Sequence, residues 1–372
     1  MAKKDKQEDM ADIISESLKK DGIPSYFVGE EETPTDLTDF ISTGSSLLDL
    51  IISNRKHGGI ACGRITELTG LEGSGKSLIA AHLMANVQKE GGVAVLIDTE
   101  TALNEKFFRA VGLDMSKMVY VPTEILEQVF ETVESIIIKI RSGTAEARKK
   151  KVIIVIDSMA GASPKKELEG DFDQNGYATQ KSIIIGQAMR KLTGLIAREK
   201  IALVITNQLR MKMNASAWGD QWTTSGGKAI GFHASTRVRL SPTKNLKVDD
   251  NVVGMSIEAK ITKNRLGPPL KKTYIDVYFD RGIDDITSWI KYLKDQGILG
   301  GGAGGHYTFV DKDGVEHKFQ TSTWKKFVQE NKETFEEIYD KMADSVIMQY
   351  KTDDISTLDG TAQTVPTETE EE

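Results

Sequence analysis

The fold is decided by one stretch of the sequence, Gly70-Leu71-Glu72-Gly73-Ser74-Gly75-Lys76-Ser77. An alternating apolar run at residues 63–69 precedes it, and residues 78–84 follow it with the composition of a helix. A strand, the spacing G-x-x-x-x-G-K-S and a helix together define a phosphate-binding loop. Its glycines let backbone N–H groups approach phosphate oxygens, and the helix N-terminus adds partial positive charge. We therefore expect Lys76 to contact the β- and γ-phosphates of a nucleotide and Ser77 to ligate Mg²⁺.

The composition is that of an ordinary globular protein, because 39% of the 372 residues are hydrophobic and 28% are charged. A single cysteine, Cys62, excludes an intrachain disulfide and a cysteine-rich zinc module, and its apolar surroundings favour a small core residue. No apolar run approaches the ~20 residues that cross a bilayer. The charged N-terminus lacks the apolar region of a secretory signal. The sequence therefore predicts a cytoplasmic protein with no membrane partner.

The net charge of −7 is concentrated at the C-terminal end of the chain. Residues 351–372 carry one lysine and seven acids, which are Asp353, Asp354, Asp359, Glu368, Glu370, Glu371 and Glu372. The other 350 residues therefore sum to −1. A nearly neutral body allows a local basic face, so the overall charge neither supports nor excludes a polyanionic partner.

Beyond the phosphate loop, short apolar runs alternate with helical patterns. We predict strands at 93–98, 118–121, 152–157 and 201–206, with helices at 104–111, 126–141 and 183–198. This alternation predicts a mostly parallel α/β sheet with right-handed crossovers. Segments with a period of two at 236–240, 256–261 and 273–279 predict antiparallel strands that extend this sheet.

The ends of the chain have their own organisation, and we expect four regions. Residues 1–36 hold a short amphipathic helix and a linker, 37–284 the ATPase core, 285–348 a small α+β domain, and 349–372 a disordered acidic tail. In the third region we predict helices at 288–296, 323–330 and 334–346 and a hairpin with an Asp313-Gly314 turn. The apolar stripe of the first helix packs on its own core or on a neighbouring subunit, and the pattern does not separate these two.

Acidic residues end two of the predicted central strands. Asp157 is expected to hold the Mg²⁺ shell, because a phosphate loop needs an acid at the end of a neighbouring buried strand. Asp98 and Glu100 follow another strand, at the sheet edge where ligands bind in open α/β sheets. Glu100 lies farther into the loop and is the candidate base or water-orienting group. Asp98 is expected to orient or cap the loop.

Two loops leave the same sheet edge and carry an unusual composition. The segment 209–228 has basic residues at both ends and two tryptophans, and it follows Gln208, which is placed to sense a γ-phosphate. The segment 163–181 follows Asp157. Interleaved cations and aromatic rings fit a surface for single-stranded nucleic acid. From these residues alone, a protein partner or a lid over the nucleotide remains an equal alternative.

Taken together, these motifs resemble the RecA family of DNA strand-exchange recombinases, and the resemblance covers residues 41–346. Residues 97–103 resemble the strand and catalytic glutamate of the family, 163–170 its first DNA loop, and 186–192 the helix that follows. Residues 207–212 and 223–229 bracket its second DNA loop, and 263–265 match a basic pair that reaches the ATP of a neighbouring subunit. Residues 324–346 look like its C-terminal module.

The resemblance implies a RecA-like P-loop ATPase that forms filaments on single-stranded DNA and exchanges strands with homologous duplex DNA, using ATP and Mg²⁺. The catalytic residues would be Glu100, Lys76, Gln208, Lys263 and Arg265. ATP would be bound by Gly70, Gly73, Ser74, Gly75, Lys76, Ser77 and Phe107, and the metal by Ser77 and Asp157. DNA would be bound by Arg190, Arg210, Lys212, Gly226, Gly227 and Lys228. It also implies single-strand-binding and loader proteins as partners.

Three departures from the family pattern stand out. Phe107 takes the place of the tyrosine that stacks on adenine, Gly231 takes the place of an interface lysine, and the first loop carries an insertion within 171–182. Such divergence suits a bacteriophage version of the family, acting in an infected bacterial cell. Two other classes remain open, a hexameric RecA-like branch-migration helicase and a non-catalytic recombination mediator. The single cysteine and short C-terminal region argue against the helicase, and the intact catalytic residues argue against the mediator.

Overall fold

A computed structural model of the chain describes residues 10–27, 30–31, 33, 35–170, 177–212 and 221–350. In these residues the strands are β1 Phe40–Ile41, β2 Ile60–Ala61, β3 Ile65–Gly70, β4 Val93–Asp98, β5 Met118–Pro122, β6 Val152–Asp157, β7 Ala202–Met211, β8 Trp222–Thr224, β9 Thr236–Val248, β10 Asn251–Asn264, β11 Lys272–Tyr278, β12 Gly282–Ile283, β13 Gly300–Gly301, β14 His306–Val310 and β15 Glu316–Gln320.

The α-helices of the same residues cover both faces of the main sheet and the C-terminal region. They are α1 Met10–Lys20, α2 Ser46–Ser53, α3 Lys76–Lys89, α4 Glu105–Ala110, α5 Leu126–Arg141, α6 Ala145–Arg148, α7 Lys165–Glu169, α8 Tyr177–Arg198, α9 Ala229–His233, α10 Asp285–Asp295, α11 Trp324–Glu330 and α12 Lys332–Val346. No helix in the described ranges combines the length and apolar character that a bilayer crossing requires.

Among the described residues the main sheet has ten strands, and it confirms the predicted fold class. Its order is β12-β11-β10-β9-β3-β7-β6-β4-β5, and β8 pairs with the far end of β7. In this order the strands β9, β3, β7, β6, β4 and β5 run parallel to one another. Each of β10, β11 and β12 is antiparallel to the strand beside it. Runs such as Val152–Asp157 are apolar throughout because both faces of a central parallel strand are buried.

Each face of the sheet has its own apolar cluster. On one face α3 packs on the sheet, and its cluster continues through α2 into the C-terminal helices, where Trp289 and Trp324 are fully buried. On the other face α5 and α8 pack together through residues such as Val133 and Met189. Since the first cluster runs without a break from the central sheet into α10–α12, the division of the chain at 284/285 stays a prediction.

Local signals in the sequence set several helix ends. Ser45 caps α2, since its side chain accepts a hydrogen bond from the backbone N–H of Leu48 (3.5 Å). Asp284 caps α10 by accepting from the backbone N–H of Thr287 (3.3 Å). The helices predicted at 126–141, 323–330 and 334–346 are confirmed, with ends that differ by two residues at most. Cys62 is buried, as predicted, and burial raises the pKa of its thiol to about 12.

Several predicted boundaries were wrong. The strand predicted at 256–261 covers Asn251–Asn264, and the helix predicted at 288–296 begins at Asp285. Three more elements are longer than predicted. The strand predicted at 201–206 runs to Met211, because its outer part gains a partner in β8. The strand predicted at 236–240 runs to Val248 as half of a long hairpin with β10. The helix predicted at 183–198 begins at Tyr177, so the end of the first loop is helical. In each of these three elements most of the extra residues are polar, and pairing or packing outside the local window orders them.

Parts of several predictions lie outside the described residues. These are the start of the N-terminal region, residues 171–176 of the first loop, residues 213–220 of the second loop and the acidic segment 351–372.

Candidate nucleotide and DNA site

The phosphate loop joins β3 to α3 and fixes Lys76 at its mouth. The Lys76 ammonium donates hydrogen bonds to the backbone carbonyl oxygens of Gly70 (3.2 Å) and Leu71 (2.8 Å). The side chain is buried, and burial lowers the pKa of Lys76 while the nearby Asp157 carboxylate raises it. The ammonium also donates to the Ser74 hydroxyl (3.4 Å). Since these neutral acceptors all belong to its own loop, it can exchange them for phosphate oxygens at little cost, because charged acceptors bond more strongly.

Two glycines of the loop are required by its geometry. A Cβ at Gly70 would lie 2.7 Å from the carbonyl oxygen of Leu240, which leaves no room for a side chain. Gly75 has a φ of +89° and faces Ile257, whose Cδ1 would lie 2.5 Å from a Cβ there. The loop conformation therefore depends on residues without a side chain, as phosphate-binding loops do.

Acidic side chains gather beside Ser77. Asp157 accepts hydrogen bonds from Thr206 Oγ1 (2.6 Å) and from the Ser77 side chain. Burial raises the pKa of Asp157, and the negative charges of Glu100 and Asp98 raise it further. A divalent cation placed here relieves this repulsion, so the donor set fits Mg²⁺.

Ser77, Asp98, Glu100 and Asp157 line a cavity of about 240 Å³. Within the described ranges no group of three His, Cys, Asp or Glu side chains is arranged to hold a metal by itself. Mg²⁺ commonly takes one or two protein ligands and completes its shell with phosphate oxygens and water. The arrangement around Ser77 and Asp157 is of that kind.

Asp98 holds the loop that carries Glu100. Its carboxylate accepts hydrogen bonds from the backbone N–H groups of Glu100 (3.0 Å) and Ala102 (3.1 Å), and from the Tyr120 hydroxyl (3.1 Å). Asp98 is therefore occupied with local bonds. Glu100 is exposed and points into the same cavity as Ser77, with one carboxylate oxygen accepting from the Ser158 hydroxyl (2.5 Å).

The far side of the cavity is apolar. Phe107 and Leu103 line it, and Phe107 meets Phe108 edge to face with ring centroids 5.7 Å apart. Phe107 is half-buried, which leaves part of its ring open to the cavity. An aromatic face in the cavity that also contains Ser77 can stack on a nucleotide base.

Gln208 lies directly beside the phosphate loop, although not where we predicted. We expected it to open a loop after a strand that ends near Thr206. It lies within β7, paired with Gly70 at the end of β3. The strand continues through Arg210 to Met211 and turns back through β8. The amide that neighbours the phosphate loop is therefore built rigidly into the hairpin that carries the second loop.

Lys263 and Arg265 lie near the end of the strands opposite to the end that carries the phosphate loop. Asn264, between them in the chain, pairs with Thr236 of β9, which in turn pairs with Thr66 near the start of β3. The phosphate loop leaves β3 four residues later, which corresponds to about 13 Å along the strand. Neither side chain lines the cavity with Ser77. Within one subunit this pair does not join the phosphate site.

The surroundings of this basic pair are cationic. The Lys263 ammonium donates to the carbonyl oxygens of Gly231 (2.8 Å) and Phe232 (2.7 Å). Burial lowers the pKa of Lys263, and the positive charges of Arg265 and Arg237 lower it further. The Phe232 ring beside it is 69% exposed. An exposed aromatic ring next to clustered cations is suited to meet an anionic partner.

The residues predicted to bind DNA surround the ends of the two loops. Arg190 on α8 and Arg210 on β7 are exposed. Gly226 and Gly227 have φ values of +83° and +74°, and their backbone packs against α8 at Ile185 and Ser182. The lysines 212 and 228 line a cavity of about 410 Å³ at the base of the second loop.

Sequence reasoning missed residues whose importance depends on contacts across the sheet. Arg239 of β9 lies over the Trp222 ring, with its guanidinium carbon 5.6 Å from the ring centroid. Arg237 pairs with the fully buried carboxylate of Glu67 (2.5 Å). The alternation Arg237-Val238-Arg239 was a signal that both arginines share one strand face. Nothing in the sequence indicated their partners.

The fold and the phosphate loop between β3 and α3 define a P-loop ATPase of the α/β class. Residues 10–284 match the family model described as RecA N-terminal domain. The chain is 34% identical over 320 residues to the "Protein RecA" of Campylobacter fetus, covering 83% of this chain and 86% of that protein. It is 36% identical over 259 residues to the "Protein RecA" of Nitratiruptor sp., covering 70% and 72%. The "Protein RecA" of Wolinella succinogenes is 33% identical over 315 residues, covering 85% of each.

The chain therefore belongs to the RecA family of recombinases, which are DNA-dependent ATPases of recombination and repair that bind DNA and self-associate. This confirms the family and the reaction class predicted from the sequence. The roles of individual residues, the nucleotide, the metal and the further partners remain proposals.

Proposed function

We propose that this protein hydrolyses ATP with Mg²⁺ in a helical filament on single-stranded DNA, and uses the filament to pair and exchange that strand with homologous duplex DNA. One observation carries the filament part of the proposal. The phosphate loop and the pair Lys263 and Arg265 lie toward opposite ends of the strands. In the proposal each subunit therefore supplies the phosphate loop to one composite site and the basic pair to another. Stacking copies head to tail completes a site at every junction, and it gives an open helical filament when the rotation between copies does not close a ring.

In the proposed site, Lys76 binds the β- and γ-phosphates, Ser77 and Asp157 hold Mg²⁺, and Phe107 stacks on adenine. The loop residues Gly70, Gly73, Ser74 and Gly75 contact phosphate oxygens. Glu100 orients or deprotonates the attacking water. Lys263 and Arg265 of the next subunit stabilise the charge that develops on the phosphates, as arginine fingers do.

Gln208 links the γ-phosphate to the DNA loops, because its strand continues into the second loop. DNA contacts are assigned to Arg190, Arg210, Lys212, Gly226, Gly227 and Lys228. These groups contact the backbone, so pairing between strands carries the sequence information.

The N-terminal helix is proposed to dock on the adjacent subunit. Met10, Ile13 and Ile14 of α1 are about half exposed or more, so the described residues of the chain do not cover the apolar stripe. An unburied amphipathic stripe on a short helix is stable when another surface covers it. We place the protein in the bacterial cytoplasm, in the setting of a phage infection, with single-strand-binding and loader proteins as partners.

Electron microscopy with single-stranded DNA and a slowly hydrolysed ATP analogue tests the assembly. A helical filament supports the proposal, closed rings indicate the branch-migration helicase, and neither form indicates the mediator. The absence of filaments together with absence of DNA-stimulated hydrolysis refutes the recombinase proposal.

Mixing two inactive variants tests the composite site. Lys76→Ala lacks the phosphate-loop half, and Arg265→Ala lacks the half donated to the neighbour. If the site is shared, random mixing at equal amounts restores about a quarter of the junctions, since each half is intact in half of the subunits. If both residues act within one subunit, the mixture stays inactive, and that result excludes the shared site.

A further inference from the structure

The segment that follows β6, residues 158–162, packs directly against the loop of Glu100. The Ser158 hydroxyl donates to a Glu100 carboxylate oxygen (2.5 Å). The Ser158 backbone is clamped to Thr99, whose hydroxyl donates to the Ser158 carbonyl (2.5 Å) and accepts from its N–H (3.1 Å). Ser158 and Thr99 are both buried. The position of the Glu100 carboxylate is therefore set by where this segment lies.

Gly161 makes the contact between segment and glutamate tighter still. A Cβ at Gly161 would lie 2.8 Å from Glu100 Cγ and 2.7 Å from Thr99 Oγ1. Ser158 through its hydroxyl and Gly161 through its backbone therefore both lie against the Glu100 side chain. Since packed interiors transmit small displacements, a shift of this segment moves Glu100.

Lys181 holds the same segment from the other side. Its ammonium donates hydrogen bonds to the carbonyl oxygens of Ala160 (3.1 Å) and Ala162. Lys181 lies in the second turn of α8, the helix that begins where the first loop ends. Lys181 does not line the cavity that contains Ser77 and Glu100, so it is not placed to contact a nucleotide bound there.

The ammonium of Lys181 also interacts electrostatically with residues next to both proposed DNA loops. Burial lowers the pKa of Lys181, the negative charge of Glu167 on the first loop raises it, and the positive charge of Arg210, on the strand that leads into the second loop, lowers it. A phosphate group bound beside Arg210 changes the charge that this ammonium faces. The same ammonium fixes two carbonyl groups of the segment that sets Glu100.

We propose that Lys181 is a positioning residue that couples DNA in the two loops to the hydrolytic glutamate through residues 158–162. DNA binding shifts the first turns of α8, Lys181 carries this shift to Ala160 and Ala162, and Ser158 with Gly161 carries it to Glu100. The inference rests on the proposed function, because it takes the DNA loops and the role of Glu100 from there. It adds a route from the first loop, separate from the strand that contains Gln208.

The test replaces Lys181 with methionine in the full chain, which keeps the length of the side chain and removes the donor. We expect kcat at saturating single-stranded DNA to fall about 10-fold, because misplacing a catalytic group by about 1 Å costs up to about 100-fold. The KM for ATP and the affinity for a labelled oligonucleotide, measured by fluorescence anisotropy, should stay within about two-fold. Lys181→Arg keeps a donor and should recover most of the stimulated rate.

Lys191→Met is the matched control. Lys191 lies on the same helix, is mostly exposed and pairs with Glu134 (2.7 Å) at the surface. Its loss should leave both DNA affinity and stimulated hydrolysis unchanged. A Lys181→Met protein with a normal stimulated kcat overturns the proposal. So does one whose kcat is normal at saturating DNA but whose DNA affinity falls, since that makes Lys181 a DNA contact.

A double variant tests the route and guards against a simple folding defect. If Lys181 acts through Ser158, the effects of Lys181→Met and Ser158→Ala on stimulated kcat are not multiplicative. Multiplicative effects refute the route through Ser158. Wild-type protein that shows no stimulation by DNA refutes the proposed function itself. That failure is separate from one confined to the Lys181 variants.

Discussion

The ion pair between Glu67 and Arg237 joins the neighbouring strands β3 and β9 and gives a sharp prediction about stability. The Glu67 carboxylate has no exposed surface, and it accepts from Arg237 Nε (2.5 Å) and Asn207 Nδ2 (3.1 Å). Asn207 Nδ2 also donates to the carbonyl of Ser225 (3.0 Å), at the end of the second loop. Arg237→Leu leaves a buried carboxylate with one neutral donor.

The expected cost follows from burial. Removing one partner of a buried pair destabilises a protein by about 3 to 5 kcal/mol, because the remaining charge stays out of water without compensation. The matched control is Lys272→Leu, which breaks the pair with Glu258 on the outer part of the sheet, where the lysine side chain is 54% exposed. Exposed pairs contribute about 0 to 1 kcal/mol.

Urea unfolding followed by circular dichroism measures both variants against the wild type. Arg237→Leu should lose several times more free energy of unfolding than Lys272→Leu. The double variant Glu67→Leu with Arg237→Leu should recover much of the loss, because no buried charge remains. A loss of under about 1 kcal/mol in Arg237→Leu would refute the reasoning that the buried Glu67 carboxylate depends on Arg237 for compensation of its charge.

Three further predictions concern pH, nucleotide and DNA. Burial raises the pKa of Asp49 from 3.8 to about 7, so ionisation of its carboxyl group destabilises the wild type as pH rises from about 4 to 7. The free energy of unfolding of Asp49→Asn minus that of the wild type should therefore increase by up to about 4 kcal/mol over that range. A difference that does not change with pH contradicts the prediction. Phe107→Ala should raise the KM for ATP about 5- to 150-fold and Phe107→Tyr little, since base stacking contributes about 1–3 kcal/mol. A KM of Phe107→Ala equal to that of the wild type would exclude stacking. Arg210→Ala should weaken DNA binding and reduce the log–log salt slope by about 0.7, and an unchanged slope would exclude a phosphate contact.

The sequence by itself determined the fold class and the phosphate-binding half of the site. The spacing from Gly70 to Ser77 and the apolar runs ending at Asp98 and Asp157 are local patterns, and local patterns follow from backbone geometry and burial alone. The same is true of the cap at Ser45. For this reason the central strands and most helices were predicted to within a few residues.

The tertiary structure alone decided how the pieces meet. Gln208 lies inside a strand because β8, beyond residues 213–220, pairs with the outer part of β7, and no local window contains both strands. The partners of Glu67 and of Lys181 are likewise distant in the chain or reached by long side chains. Only the order and register of the strands place Lys263 and Arg265 toward the strand ends opposite to the phosphate loop. Contacts of this kind depend on the three-dimensional path of the chain, which is the physical reason why the sequence pattern did not reveal them.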